Sequence, residues 1–422
     1  MKDGWAPASC HGVAGELTVE PALGIDPMKN VIKEAAAEMG CPVVTDLHGP
    51  PHYSLGFGDV HRTQRNSTRC STAKAFLSVA SGRKDNLLIA RHSTAIKIIF
   101  DESKKAVKVV IKGVSCPIGV RKEFVVAAGA VATPQLLLLS GIGPAKHLDD
   151  VGIPTVIDLP VGVSFHDHAI FHGLVFSVPS LEEQPSDPFG QFLSGRKGPL
   201  STIGLMELMG FIKTESTKEW PYPSVQFNPV RYPQKRFVSG LLSQEVEQAI
   251  QDINKGTDIL VMMVFLLHPT NAGTLRLRSV DPGDLPVIES GLLTDPRDTR
   301  TLLEAVRFVE KMAAGKSFSD AGVRLRYINF PGVGHLVPGS TSYWEQAIKS
   351  LTSSAFHPVG TCPIGDVLDS RLRLKGTSNV RVADASAIPK PLSANPNVPA
   401  IMIGERAAQF ILEDYTSEDS KI

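Results

Sequence analysis

Two segments near the end of the chain carry side chains suited to proton transfer. His357 lies in the segment AFHPVGTC, a loop interrupted by proline and glycine, and histidine is the side chain whose unperturbed pKa lies near neutrality. Asn395 lies in the segment SANPNVP, just before a predicted helix start that would favour negative charge. If the two side chains meet, they form a redox or acid–base site, but their separation in sequence does not show that they do.

Composition indicates a globular protein of ordinary chemistry. At 422 residues the chain is long enough for two domains. Lys and Arg together number 43, as do Asp and Glu, so the formal net charge is zero. A neutral chain has no general electrostatic attraction to nucleic acid or to an anionic membrane, and neither partner is expected.

Cysteine and histidine patterns give little support to a metal site or a disulfide framework. The pair His166 and His168 would share one face of a strand, but no third ligand is indicated, so no metal is expected. A hydrolase that uses Cys362 as nucleophile and His357 as base is an open alternative, although a small buried cysteine is the commoner case. The cysteines are odd in number and form no CxxC pair: Cys10, Cys41, Cys70, Cys116 and Cys362.

One apolar stretch, residues 124–143, has the length of a membrane span. Thr133, Pro134 and Gln135 interrupt it, which favours a strand, a turn and a helix, so no membrane span is expected. Residues 1–7 show no apolar signal-peptide core. The location is therefore open, and secretion is expected only if a signal peptide precedes this chain.

Hydrophobic periodicity and turn residues predict the main elements. A short helix over 135–140 is expected, with Thr133 as N-cap, Pro134 as first residue and Gly141 at its end. The strand over 123–127 is expected to be buried on both faces, and the tail 413–422 to be frayed. The other expected helices are 27–39, 298–314, one near Trp344, and 399–414; the other expected strands are 86–89, 95–100, 106–111, 174–178, 224–228, 259–267 and 380–382.

These segments, taken in order, resemble the glucose–methanol–choline (GMC) family of FAD-dependent oxidoreductases. The segment GAVATPQLLLLSGIG, residues 129–143, is similar to a signature of that family. The segments around His357 and Asn395 resemble its two active-site strips. Residues 10–19 and 159–168 are further segments similar to the family. Residues 69–76, together with the regions 281–282 and 343–344, lean toward its insect glucose-dehydrogenase-like branch.

The resemblance implies an α/β fold, α+β overall, in which an FAD-binding domain is interrupted by a substrate domain. The substrate domain would be an antiparallel sheet covered on one side by helices. The implied boundaries are 1–148 for a partial FAD-binding domain, 149–340 for the substrate-binding domain, and 341–422 for the return to the FAD-binding domain with the active-site strips.

The resemblance also implies a reaction and roles for residues. His357 would take the hydroxyl proton of an alcohol or sugar while the carbon passes a hydride to flavin N5, and Asn395 would orient the substrate oxygen. The helix start at 397–399 would face the pyrimidine edge of the flavin, and Cys362 would be structural. A quinone-like acceptor or oxygen would take up the electrons. The positions implied to contact FAD are Ala95, Ala128, Asp384, Ala385, Pro396, Asn397 and Val398.

The chain departs from the family at its beginning. Members of the family start with a strand and a Gly-x-Gly-x-x-Gly turn that holds the FAD pyrophosphate, and this sequence contains no such turn. The expectation is an N-terminally truncated form with weakened FAD affinity. The alternative function is then a non-catalytic remnant that keeps the fold and binds FAD poorly or not at all. The substrate, the electron acceptor and the oligomeric state are not readable from the sequence.

Overall fold

The computed structural model describes residues 12, 14–21, 25–47, 55–80, 86–181, 187–234, 237 and 240–419. Cys10 and His11, which belong to one of the similar segments, lie outside these residues, as do residues 420–422 of the predicted frayed tail. Among the helices of the described part, none combines the length and the apolar character needed to cross a bilayer.

The described residues form ten α-helices. They are α1 Met28–Glu38, α2 Ser78–Ala80, α3 Gly129–Leu139, α4 Ala145–Asp150, α5 Pro188–Gly195, α6 Gln244–Ile253, α7 Pro296–Ala313, α8 Lys316–Asp320, α9 Thr341–Ser350 and α10 Asn397–Asp419. The predicted helices over 27–39, 298–314 and near Trp344 correspond to α1, α7 and α9 and are confirmed.

The strands of the described residues are mostly short. They are β1 Glu20–Pro21, β2 Val43–Val44, β3 Gly56–Asp59, β4 His61–Arg62, β5 Gln64–Arg65, β6 Thr68–Arg69, β7 Ala95–Phe100, β8 Ala106–Ile111, β9 Ile118–Gly119, β10 Phe124–Val126, β11 Ile142–Gly143, β12 Ile157–Asp158, β13 Ala169–Phe171, β14 Val175–Val178, β15 Leu208–Ile212, β16 Val225–Tyr232, β17 Asp258–Leu266, β18 Thr274–Arg276, β19 Val287–Glu289, β20 Arg324–Arg326, β21 Thr352–Ser354 and β22 Val380–Val382.

The chain divides into two compact units. The first contains the described residues up to Leu87 together with 169–267 and 296–353, and the second contains 88–168, 268–295 and the described residues from 354 onward. The two units group the chain segments differently from the predicted domains, whose boundaries lie at 148 and 340. Those boundaries concern the FAD-binding and substrate-binding parts and stay a prediction.

The first unit is built on a nine-stranded sheet. Its main path runs β2-β3-β15-β16-β17-β13-β21, and β14 and β20 extend it beside β17. Among the strand pairs with a known register, β2–β3 is parallel. The other pairs are antiparallel, as predicted for this region. Helix α7 buries one face, where Phe308 stacks on Phe57 and Phe227 with centroid distances of 6.5 and 5.7 Å.

The second unit contains two parallel pairs and two antiparallel sheets. Strands β10 and β22 run parallel, as do β11 and β12, while β7-β8-β9 and β18-β19 are antiparallel. The core between them is apolar and includes Leu137 and Leu138 of α3, which are fully buried. Because β10 and β22 are parallel, their carboxyl ends lie at the same edge, which is where ligands bind in α/β sheets.

Helix α3 differs from its prediction, because it begins at Gly129 and places Pro134 inside the helix. Thr133 is therefore not an N-cap; its hydroxyl donates to Asp384 Oδ2 at 2.6 Å. Pro134 has no N–H for the carbonyl of Ala130, and the Thr361 hydroxyl donates to that carbonyl at 2.7 Å instead. The predicted end at Gly141 is confirmed by its φ of 85° and its bond to Leu138 O.

Three further expectations are wrong. Residues 86–89 form no strand; Leu88 is 94% exposed, so an apolar pattern without a pairing partner does not make one. In β10, Val126 is buried but Val125 is 40% exposed, so this strand is buried on one face only. The tail is helical through Asp419, and Arg371 binds both Glu413 and Asp414 within 3.0 Å, which holds the helix there.

We predict that Thr361→Val destabilises the protein by about 1–2 kcal/mol, because it leaves the buried Ala130 carbonyl without a donor. Valine has nearly the same shape, so packing is conserved. The matched control is Thr416→Val. That hydroxyl is exposed and donates to Leu412 O, which already accepts a helical N–H. Urea unfolding measures both variants; equal losses would contradict the role of Thr361.

A second prediction concerns the pH dependence of stability through His172. Burial lowers the pKa of His172 from 6.5 to about 4. Between these values the unfolded chain binds a proton that the folded chain excludes, so stability is present above pH 6.5 and is lost as the pH falls. The linked loss between pH 7 and about pH 4.5 is roughly 2.5 kcal/mol.

The variant His172→Phe should remove this part of the pH dependence, which urea unfolding at the two pH values measures. His335→Ala, at an exposed histidine, controls for the loss of a histidine as such. An unchanged difference between the two pH values in His172→Phe would show that His172 is not the linked group.

Candidate active site

A buried carboxylate fixes the loop that carries His357. Asp167 Oδ1 accepts from the backbone N–H of His357 at 2.8 Å, and its Oδ2 accepts from the Ser354 hydroxyl. The same hydroxyl accepts from the backbone N–H of Phe356 at 3.0 Å. Phe356 has a φ of 56°, a left-handed conformation that costs a residue with a Cβ about 1 kcal/mol or more. These bonds hold the loop in a conformation that the chain alone would not favour.

Two imidazoles and one amide meet in this unit. His168 Nδ1 lies 2.9 Å from His357 Nδ1, and the rings meet edge to face at 87°. Asn395 Nδ2 lies 3.2 Å from His357 Nε2. On its other side, His168 Nε2 lies 2.9 Å from the carbonyl oxygen of Leu392. The structure therefore brings together His357 and Asn395, the two side chains with which the sequence argument began.

The electrostatics of this cluster favour a neutral base. Burial lowers the pKa of His357 below its ordinary value of 6.5, so its imidazole is neutral at pH 7 and is able to accept a proton. Burial raises the pKa of Asp167, although hydrogen bonds from Ser354 and from backbone N–H groups oppose the increase. Asp167 therefore binds the backbone of the loop through hydrogen bonds, and the His357 imidazole stays able to accept a proton.

The surroundings of the cluster remain open to a ligand. Phe356, next to His357, is 68% exposed, and Asn395 is also exposed. On α10, Val398 and Met402 are one turn apart and are 57% and 58% exposed. A polar pair next to exposed apolar side chains suits a ligand with both an apolar body and a reacting hydroxyl group.

The predicted cofactor residues Ala128, Asp384 and Ala385 lie at the carboxyl ends of β10 and β22. The Asp384 carboxylate is occupied by protein donors. Its Oδ2 accepts from Gly129 N at 2.9 Å and from the Thr133 hydroxyl, and its Oδ1 accepts from the backbone and side chain of Ser386. We name this set of bonds the Asp384 clasp; it joins the end of β22 to the start of α3.

These positions are compatible with part of a flavin dinucleotide. At the strand ends Ala128 is exposed and Ala385 is half-buried, and each side chain is a single methyl group. Pro396, Asn397 and Val398 form the beginning of α10, where first-turn N–H groups have no carbonyl partner within the helix and favour an anionic or carbonyl-rich ring edge.

Ala95 lies elsewhere, as the first residue of β7 opposite Ile111 in the antiparallel sheet β7-β8-β9. Its contact with FAD, like the contacts of the other six positions, stays a prediction.

Sequence reasoning missed several residues that shape this site. The sequence suggests His168 only as a metal ligand or as part of a similar segment. It predicts no role in the site for Asp167, Ser354 or Thr133. The Asp167–His168 pair in a family-like segment was the available signal. It could not identify a partner, because His168 and His357 meet only through the tertiary fold.

The alternative based on thiol chemistry loses support. Cys362 is fully buried, and burial raises the pKa of its thiol, so a thiolate nucleophile is disfavoured there. Within the described ranges, no group of three or more His, Cys, Asp or Glu side chains could hold a metal ion.

Comparisons with known proteins identify the family of this chain. The GMC oxidoreductase family model matches residues 4–170 and 269–404. The chain is 30% identical to ecdysone oxidase of Spodoptera littoralis over 96% of this chain and 68% of that protein. It is 31% identical to glucose dehydrogenase [FAD, quinone] of Drosophila melanogaster over 95% of this chain and 64% of that protein.

A solved structure shows the same fold. Formate oxidase from Aspergillus oryzae superposes with a TM-score of 0.80 at 23% identity, covering 96% of this chain and 74% of that chain. The fold is of the α/β class, and the family matches place the chain among FAD-dependent oxidoreductases. The chain belongs to the GMC oxidoreductase family, and it spans about two thirds of the length of the two insect relatives.

Family membership confirms four predictions made from the sequence: the α/β fold, the FAD cofactor, the oxidoreductase class, and the leaning toward insect glucose-dehydrogenase-like proteins. The roles of the individual residues stay predictions.

We predict that Asp384→Asn destabilises the protein by about 3 kcal/mol, because an amide would turn an N–H toward donors that now face a carboxylate. Asp158→Asn is the matched control. Its carboxylate is exposed and accepts one bond, from Ala145 N at 3.0 Å, so its loss should be about 1 kcal/mol or less. Urea unfolding compares the two, and an equally stable Asp384→Asn variant would refute a structural role for the clasp.

Proposed function

We propose that this protein oxidises the CH–OH group of a small alcohol or sugar. The observation that carries the proposal is the neutral, half-buried His357 with Asn395 at its Nε2 atom. A base and a hydrogen-bond donor at one position are what removal of a hydroxyl proton requires. Family membership supports the same reaction class.

His357 is the proposed base. Its Nε2 atom takes the proton of the substrate hydroxyl, the O–H electrons form the carbonyl bond, and the carbon releases its hydrogen with the electron pair. FAD, when bound, supplies the acceptor for that hydride. The lowered pKa keeps His357 unprotonated at neutral pH, so the base is in its active form before substrate arrives.

Asn395 is the proposed orienting residue. Its Nδ2 group has two N–H donors and no charge, and it lies 3.2 Å from Nε2. In the proposed substrate complex an N–H of this group holds the substrate oxygen beside Nε2. The loop before α10 is fixed by the bond of 2.8 Å between His268 Nε2 and the Ser393 hydroxyl. A fixed loop lowers the entropic cost of placing the reacting oxygen.

The names of the relatives point to substrates and acceptors without selecting one. The chain is similar to an ecdysone oxidase, to a glucose dehydrogenase [FAD, quinone] and to an alcohol dehydrogenase [acceptor] of Pseudomonas putida. We therefore propose a quinone-like compound or oxygen as the final electron acceptor. A non-catalytic protein that binds FAD poorly or not at all is the second candidate, because this sequence contains no Gly-x-Gly-x-x-Gly turn to hold the FAD pyrophosphate.

The fourth prediction tests the base. In protein reconstituted with FAD, His357→Ala should slow flavin reduction by glucose and by a panel of primary and secondary alcohols about 10²–10⁴-fold. His335→Ala, at an exposed histidine, is the control and should reduce FAD at the wild-type rate. Stopped-flow absorbance measures the rate, and the spectrum of each purified variant gives its flavin content.

The outcomes separate the two candidates. Equal rates in wild type and His357→Ala would refute His357 as the base. A folded wild-type chain that takes up no flavin from excess FAD would support the non-catalytic candidate.

A further inference from the structure

We propose that His168 is a positioning residue that sets the tautomer of His357, so that Nδ1 carries the hydrogen and Nε2 presents its lone pair. The inference rests on the proposed function for its catalytic meaning, but it is a statement about hydrogen positions that is testable by itself. It follows from a series of four groups: Leu392 O, His168, His357 and Asn395.

The series begins at a group with one possible role. The carbonyl oxygen of Leu392 can only accept, so the His168 Nε2 atom, 2.9 Å away, must carry a hydrogen. In a neutral imidazole the other nitrogen then has a lone pair. His168 Nδ1 is therefore an acceptor, and His168 is buried, with 3% of the residue exposed.

The next step transfers this constraint to His357. Its Nδ1 atom lies 2.9 Å from His168 Nδ1, and two lone pairs at that distance would repel. His357 Nδ1 must therefore donate. A neutral His357 then has its lone pair on Nε2, which accepts from Asn395 Nδ2 at 3.2 Å.

The opposite arrangement does not satisfy the same contacts. If His168 carried hydrogens on both nitrogens, His357 Nδ1 would have to accept, and its Nε2–H would face the N–H of Asn395. Two donors would then meet at 3.2 Å. With His168 neutral, the contacts to Leu392, His168 and Asn395 are satisfied when each hydrogen points along the series from Asn395 toward Leu392.

This arrangement has a chemical consequence for His357. A histidine with its hydrogen on Nε2 could not take a substrate proton at that atom, so the tautomer decides whether the base exists. After proton uptake, both nitrogens of His357 carry hydrogens, and the Nδ1–H still donates to His168. The same contact therefore selects the reactive form before the reaction and stabilises the imidazolium afterwards.

The fifth prediction tests the tautomer directly by NMR of the ¹⁵N-histidine-labelled protein. Wild type should show His357 with its hydrogen on Nδ1, with the signal assigned by its loss in His357→Gln. His168→Asn keeps an acceptor oxygen near the position of Nδ1 and should keep this tautomer. His168→Phe removes the acceptor, and the hydrogen should move to Nε2 in a large share of molecules.

The kinetic readout follows the same variants. Flavin reduction by alcohol should slow about 10²-fold or more in His168→Phe and stay within about 10-fold of wild type in His168→Asn. His172→Phe is the matched control, because His172 is also buried, at 5% exposure, and bonds to Ser353 instead. It should leave the His357 tautomer unchanged.

The results separate this inference from the proposed function. An Nε2–H tautomer in wild type, or an unchanged tautomer and rate in a folded His168→Phe variant, overturns the role of His168. An Nδ1–H tautomer in a protein that retains FAD but oxidises no alcohol leaves the positioning role intact and refutes the proposed function.

Discussion

The second unit depends on one carboxylate, that of Asp384. Four protein donors point at it, from Gly129, from Thr133, and from the backbone and side chain of Ser386. A buried carboxylate is tolerated only when its lone pairs are satisfied in this way. Because two of the donors, from Gly129 and Thr133, belong to the beginning of α3 and the acceptor follows the end of β22, their bonds hold together the edge of the parallel pair at which a cofactor would bind.

The histidine loop is attached to the same helix. Pro134 leaves the Ala130 carbonyl without its helical donor, and the hydroxyl of Thr361, in the same loop as His357, fills that position. Cys362 N also donates to Ser386 O at 2.9 Å, next to the Asp384 clasp. The helical hydrogen bond that is missing at Pro134 is thus replaced by a bond from the loop of His357. Together the two bonds connect the segment of the proposed base to the residues at the strand ends.

The sequence predicted the types of most elements, because periodicity and caps are local properties. It predicted Val380–Val382 and the end of α3 at Gly141 correctly. The sequence predictions failed where residues distant in sequence determine the local structure. Thr133 donates its hydroxyl to Asp384 and does not cap the helix. Residues 86–89 have the composition of a strand but no strand pairs with them. In the site, residue types indicated His357 and Asn395, but His168 required the fold.

The carbonyl of Leu392 has a consequence for how this site can vary among related chains. It is a main-chain atom, so every amino acid at that position supplies the same acceptor. A substitution at 392, where the leucine side chain is 39% exposed, leaves this acceptor in place. The direction of the hydrogen bonds through the two imidazoles is therefore set by the backbone and does not depend on the side chain at this position.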